Sequence, residues 1–500
     1  MFKELKKVFG ETIIYGFTGV VSTLASVFLV PIYTRILTPS DYGVSALLST
    51  SFSIIAVIAN MGMSSAIFWA YFKAKEDERR SVVGTAFIFQ TIFPFLIAIT
   101  ALMLSGFISR SLFGNESYTN LVAIASATLF FNVSVAVSLA MLRARGEPTR
   151  YVSVNLIGLF VTIATSLVLV VGFRTGLVGM FAGNLIGALA MYLSGLAIVL
   201  PRLTLIFSKF WIREMLSFGA PMMPAGLAMW ALNSSDRYFL NAFASTADVG
   251  IYNVGYKIGT LVVLVTGALQ LAYPRFMFSI YHKYPNPKEY FKKINTYFYL
   301  LIFTCALALS IFSKEAITIL TGDAFHSAYS IVPLIAFSYV FYGLFNNFGT
   351  GVLVTSKTYL STFAVLIAGG TNLALNYVLV SKFGMIGAAL ATFLSFFVLA
   401  AAELFFSQRV YPIRFEFKRL ITISIVGWSL TYLATLIDFG LPISLLLKVI
   451  MLFAFPAILY LLGFFENREI NNLLKIWSVI RSGRGSPRKM FDSIKQELIT

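Results

Sequence analysis

Arg35, Arg237 and Lys257 fall inside or at the edges of long apolar runs, where a charge costs about 2.5–3.5 kcal/mol on insertion scales. A cation kept there against that cost faces water, an anion or a carboxylate partner. Amides and hydroxyls surround the three at helical spacing. Ser45, Ser49, Ser53, Asn60 and Ser64 follow a period of about 3.7 residues, one polar stripe down a helix. Asn233 stands four residues before Arg237, Asn253 four before Lys257, and Asn372 four before Asn376, so each pair shares a helix face. Such a set suits an anionic headgroup carrying hydroxyls. Acidic groups at comparable depth are scarce: Glu403 and Asp438 fall near opposite ends of their runs, and Asp236 adjoins Arg237. Plainer readings stay open at this point. The cations snorkel to headgroups, Arg237 pairs with Asp236, and the amides bond helix to helix.

The elements that must position these residues are membrane helices. Of the residues 58% are apolar, 16% aromatic and 12% charged, where a soluble domain carries about 25% charge. Too little polar surface is left for a soluble enzyme. A hydrocarbon core about 30 Å thick needs roughly 20 apolar residues of helix. Fourteen such runs are expected, near 12–34, 43–69, 82–104, 119–141, 152–172, 177–200, 218–240, 250–273, 294–313, 329–350, 358–380, 384–406, 418–437 and 442–464. The first is read as an uncleaved helix behind the basic start Met1 to Lys7, being too long for a signal peptide and without a small-residue cleavage site. Fourteen crossings put both termini on one side. The connections on that side hold 30 of the 38 Lys and Arg, so the positive-inside rule places both ends in the cytoplasm. The net charge of +17 is then a property of cytoplasmic loops. No base-reading element accompanies it, and nucleic acid is not an expected partner.

An internal repeat orders the helices. Thr38-Pro39-Ser40-Asp41-Tyr42-Gly43 answers to Ser245-Thr246-Ala247-Asp248-Val249-Gly250, Gly176-Leu177-Val178-Gly179 to Gly384-Met385-Ile386-Gly387, and Arg150-Tyr151 to Thr358-Tyr359. Arg35-Ile36-Leu37 likewise answers to Arg237-Tyr238-Phe239. The nearly constant offset spans six helices, an even number, so the copies are parallel. The expected architecture is all-α and membrane-integral: a first lobe over 1–205 and a second over 206–410 around a central cavity, two more helices over 411–465, and a basic amphipathic cytoplasmic tail over 466–500. Paired parallel lobes can rock and open a shared cleft to each side in turn, which is a transporter's geometry. Gly179, Gly183 and Gly187, and Gly255 with Gly259, read as close-packing ladders. Pro221 and Pro224 remove amide donors early in the seventh run and read as a bend or hinge.

Enzyme chemistry has little material here. The two histidines, His282 and His326, fall on opposite sides, Cys305 is the one cysteine, and no Gly-Lys dipeptide allows a P-loop. No cofactor or metal is expected, and the connections are too short for a soluble catalytic domain.

Arg35-Ile36-Leu37-Thr38-Pro39-Ser40-Asp41-Tyr42-Gly43 after the first helix, then Pro221, Asp236-Arg237 and Val249-Gly250-Ile251-Tyr252 ahead of Tyr256-Lys257, resembles the polysaccharide biosynthesis, Wzx-like O-antigen-unit flippases of the multidrug/oligosaccharidyl-lipid/polysaccharide (MOP) exporter superfamily. The resemblance implies movement of a polyprenyl-diphosphate-linked oligosaccharide across the inner membrane for surface polysaccharide such as lipopolysaccharide. It also implies membrane lipids and polysaccharide assembly proteins as partners. A cationic central cavity of that family fits Arg35, Arg237 and Lys257; Arg237 and Lys257 are then expected to bind the diphosphate with Arg35 assisting, and Asn233, Asn253, Ser49, Asn60, Asn372 and Asn376 to contact sugar hydroxyls. A drug or cation antiporter of the same superfamily would need cavity carboxylates. A membrane-embedded polymerase or ligase would need larger outer loops.

Overall fold

The computed structural model describes residues 16, 18–437, 439–466 and 469, and among these there is no β-strand. Met1 to Lys7, Asp438 and the expected amphipathic face of the tail lie outside the described residues. The chain divides into two compact units, the first ending at Arg414 and the second beginning at Phe415.

In the first unit α1 covers Thr18–Tyr33. It is followed by α2 (Pro39–Asn60), α3 (Met63–Lys73), α4 (Arg79–Met103), α5 (Ser105–Phe113), α6 (Thr119–Ala144), α7 (Pro148–Leu167) and α8 (Gly176–Val199). The second copy runs through α9 (Lys209–Gly219), α10 (Met223–Ser234), α11 (Asp236–Phe243), α12 (Thr246–Gly259), α13 (Val262–Lys283), α14 (Pro287–Ile311), α15 (Ser313–Leu320), α16 (Val332–Phe348), α17 (Thr350–Val354) and α18 (Tyr359–Val410). The second unit holds α19 (Phe417–Thr435) and α20 (Leu441–Leu461). There the Arg419 guanidinium donates to the Glu469 carboxylate at 2.7 Å, to Glu416 at 3.2 Å and to the Phe464 carbonyl at 2.5 Å, joining the start of α19 to the segment behind α20.

Nine helical spans among the described residues are long and apolar enough to cross a membrane, or up to eleven if each of two bent pairs is one span. The expected fourteen is not reproduced as a count. Part of the difference is physical: α18 is 52 residues long and carries two expected runs, kinked where Gly384 adopts φ 53° and ψ −129°. Another expected run breaks by 46° between α12 and α13. Pro221, by contrast, sits in a single 3-10 turn, Ala220–Met222, and Pro224 opens α10, all within one 26-residue span. Large apolar side chains stay exposed, Met103 and Leu461 at 81% among them, as a lipid-facing belt requires.

The two copies begin alike and meet at corresponding residues. Thr38 caps α2: its hydroxyl accepts from the Asp41 amide at 3.2 Å while the Asp41 carboxylate accepts from the Thr38 amide at 3.0 Å. Ser245 and Asp248 repeat half of that capping box at α12, with Pro39 fixing the first turn of α2 alone. The two capped ends then cross. A β-carbon on Gly43 would lie 1.7 Å from the Thr246 carbonyl oxygen, and one on Gly250 would lie 1.9 Å from the Pro39 carbonyl oxygen. Only glycine lets the backbones approach so closely.

Further along, α2 ends at Met61 and Gly62, both left-handed at φ 46° and 70°. Gly62 also lies against Gly219, where an added β-carbon would come 2.3 Å from the carbonyl oxygen. Beyond the break Trp69 stacks on Phe218 at 4.8 Å, and Lys73 pairs with Glu214. Buried apolar clusters mark both ends of this seam. Tyr42, Leu48, Val254, Ile258, Phe325 and Val332 pack together toward the Pro39 end, and Met63, Ile67, Ala70, Trp211 and Met215 toward the Lys73 end. In α8 the glycine ladder is packing: β-carbons at Gly183 and Gly187 would meet the Ser166 and Thr162 hydroxyls of α7 at 2.1 and 1.8 Å.

Candidate functional site

Between those two apolar clusters α2 turns its hydroxyl stripe toward the second copy. A cavity of about 280 Å³ lies there, lined by Ser45, Ser49, Ser53, Arg237, Asn253 and Lys257, with Ala46, Thr50, Met180 and Ser234 completing it. Helices expected as the second, seventh and eighth runs therefore share one cavity. A larger space of about 520 Å³ opens within the first copy. Ser49 and Ser53 line both.

Arg237 is 5% exposed and held on every side. It follows Asp236 in α11; its Nη1 donates to the Asp236 carboxylate at 2.6 Å and to the Asn233 carbonyl. The guanidinium lies over the Tyr256 ring at 4.1 Å and near the Tyr252 ring at 5.6 Å. The Tyr252 hydroxyl donates to the other Asp236 oxygen at 2.5 Å. Asn233 completes the scaffold: its Oδ1 accepts from Tyr339 at 3.1 Å, and the Tyr339 hydroxyl meets that of Tyr256 at 2.9 Å. A buried ion pair so enclosed is one neutral unit with donors left over.

Lys257 differs. Its ammonium lies 5.3 Å from the Tyr42 ring centroid, and among the described residues no carboxylate pairs with it. One positive charge therefore remains uncompensated on the cavity wall. Four residues before it, Asn253 lines the same wall.

The remaining expected residues sort by position. Ser49 lines both cavities. Arg35 does not reach them; it is exposed and donates to the Ile319 carbonyl at 3.2 Å. Asn60 sits at the end of α2, donating to the Ser64 hydroxyl at 3.1 Å, and lines neither cavity. Asn372 and Asn376 are fully buried in α18; the Asn372 oxygen accepts from Asn376 and from Ser235, each at 2.9 Å. They tie α18 to the Asp236 end of α11. Sequence reasoning passed over Asn132, Asn155 and Asn184, which line the larger cavity. The only signal they carry is an amide in the interior of each of three consecutive apolar runs. It also passed over Trp230, whose indole nitrogen donates to the Ser53 hydroxyl at 2.9 Å and anchors the stripe.

A multi-pass membrane fold with a hydroxyl-lined, cationic cavity where the second helix meets the seventh and eighth expected runs suits a transporter rather than an enzyme. The chain belongs to the polysaccharide biosynthesis protein family, whose model matches residues 32–330. An uncharacterised membrane protein of Methanocaldococcus jannaschii is 22% identical over 471 residues, 88% of this chain and 91% of its own length. A Haloferax volcanii protein named "Probable low-salt glycan biosynthesis flippase Agl15" is 23% identical over 195 residues, 39% of this chain and 40% of its own. The lipid II flippase MurJ in an inward closed conformation superposes with a TM-score of 0.73 at 16% identity, over 90% of this chain and 98% of that one. An inward-facing multidrug resistance MATE transporter of the MOP superfamily gives 0.64 at 17%, over 78% and 94%. The fold is that of MOP-superfamily transporters and flippases.

Proposed function

We propose that the protein flips polyprenyl-diphosphate-linked oligosaccharide units from the inner to the outer leaflet of the plasma membrane by alternating access. The observation that carries this reading is Lys257, an unpaired ammonium on the wall of a hydroxyl-lined cavity at the seam between the two copies. A diphosphate headgroup cannot cross hydrocarbon without replacing its hydration. The Lys257 ammonium supplies charge, the free donors of Arg237 supply directed hydrogen bonds, and Ser45, Ser49 and Asn253 supply neutral ones. The polyprenyl tail stays outside among lipids. Membership of the family and the glycan-flippase name of the Haloferax relative support the substrate class. Both termini lie in the cytoplasm on this reading, because 30 of the 38 Lys and Arg then fall on the inner side.

Drug or cation antiport finds less support. A cation needs a free carboxylate, and the one beside this cavity, Asp236, is taken by Arg237 and Tyr252. The test is surface polysaccharide in the source cells at matched protein levels. Lys257→Met reduces polymer by at least about tenfold, the equivalent of one lost charge-assisted contact, whereas Lys257→Arg retains most of it. Wild-type polymer from Lys257→Met sinks the reading.

A further inference from the structure

The larger cavity has a lining of a different kind from the smaller one. Asn132 of α6, Asn155 of α7 and Asn184 of α8 converge on it with Thr128 and Thr162, and no residue that lines it is charged. Asn132 and Asn184 make no side-chain hydrogen bond among the described residues, and Asn155 uses only its nitrogen, donating to the Tyr151 carbonyl at 2.8 Å. Amides left unmet at membrane depth are costly unless water or a ligand meets them. The wall that carries them is closely packed. A β-carbon on Gly158 would lie 2.7 Å from that of Met191, and one on Gly187 would lie 1.8 Å from the Thr162 hydroxyl. Phe181 adds an aromatic surface, and about 520 Å³ lies within the size range of small-molecule sites.

We infer that this cavity is a subsite for an uncharged sugar, the residue joined directly to the diphosphate. The inference rests on the flippase reading and adds to it where the glycan goes and what charge it bears. Ser49 and Ser53 line both cavities, so a diphosphate at Lys257 puts its first sugar past those two hydroxyls and against the amides of the first copy. Each amide offers a donor and an acceptor, the complement of a sugar hydroxyl. A carboxylate sugar finds no cation there to replace its lost hydration.

The experiment measures binding of three probes to the purified full-length protein: farnesyl diphosphate, and the same diphosphate bearing N-acetylglucosamine or glucuronic acid. The neutral sugar tightens binding by about tenfold over the bare diphosphate, as two or three neutral hydrogen bonds would, and the uronic acid does not. Asn132→Leu combined with Asn184→Leu abolishes the gain while bare diphosphate still binds, which also reports an intact fold. If the double variant loses that binding, Asn132→Ser on its exposed face reads the same contact. The subsite is overturned if the gain survives these substitutions, if glucuronic acid gains equally, or if the wild type binds all three probes alike. Failure of the wild type to bind any probe overturns the flippase reading beneath it.

Discussion

Arg237 and Lys257 carry the same formal charge into the same cavity but answer differently to substitution. Removing the Arg237 side chain takes the countercharge from Asp236, which is 1% exposed and keeps only neutral donors on its carboxylate, the Tyr252 hydroxyl and the backbone amide of residue 237. Breaking a buried pair from one side costs about 3–5 kcal/mol. Arg237→Ala is therefore expected to lower the thermal unfolding midpoint in detergent sharply, and adding Asp236→Asn to recover most of it. Lys257→Met strands nothing and leaves stability within about 1 kcal/mol of wild type, with the midpoint little changed, while transport falls. Equal destabilisation by both would mean that Lys257 has a buried partner. Residue spacing made part of this legible. The faces Asn233 with Arg237 and Asn253 with Lys257 were readable because partners four apart share a helix side. The contact of Arg35 was not readable, because its partner, the Ile319 carbonyl, comes from 284 positions away. Asn132, Asn155 and Asn184 stayed hidden because none has a polar partner three or four residues away that is itself an amide, and only α6, α7 and α8 together bring them to one wall.

At the level of helices, two seams hold the copies together and differ in what sustains them. At the Lys73 end the ion pair with Glu214 is partly exposed, at 47% and 29%, and such pairs contribute about 0–1 kcal/mol. Gly62 contributes more. Alanine there meets both a left-handed backbone, costing about 1–3 kcal/mol, and the Gly219 carbonyl. Gly62→Ala is expected to lower the unfolding midpoint clearly, and Lys73→Gln hardly at all; the reverse order would show that charge, not backbone approach, closes this end. The Pro39 end depends on the crossing at Gly43 and Gly250. Gly43→Ala places a carbon 1.7 Å from the Thr246 oxygen and forces the seam apart. The readout is a cysteine at Ser49, expected to react faster with a membrane-impermeant maleimide added outside when Gly43→Ala is present. Unchanged labelling would mean the cavity is reached by another route. The glycine ladder of α8 was legible as packing, while the bend was not: no proline marks the turn between α12 and α13, so the chain gave no warning of it.

For the molecule as a whole, the apolar runs were legible because hydrocarbon thickness fixes their length, and the matching capped ends because Thr38 with Gly43 and Ser245 with Gly250 recur at the same spacing. The span count was not, since α18 absorbs two runs and bent helices divide others. Sidedness follows from the loops: a cysteine at Ser117 is expected to label from outside intact cells and one at Lys357 only after permeabilisation, and the opposite pattern would invert the proposed direction of transport. Because Gly43 rests on Thr246 and Gly250 on Pro39, each half of the chain is at once the key and the lock of the other at that point. Neither hexapeptide can drift without its counterpart, yet trading the two between their places should leave the latch working, a degree of interchangeability few other surfaces of the duplicated chain would tolerate.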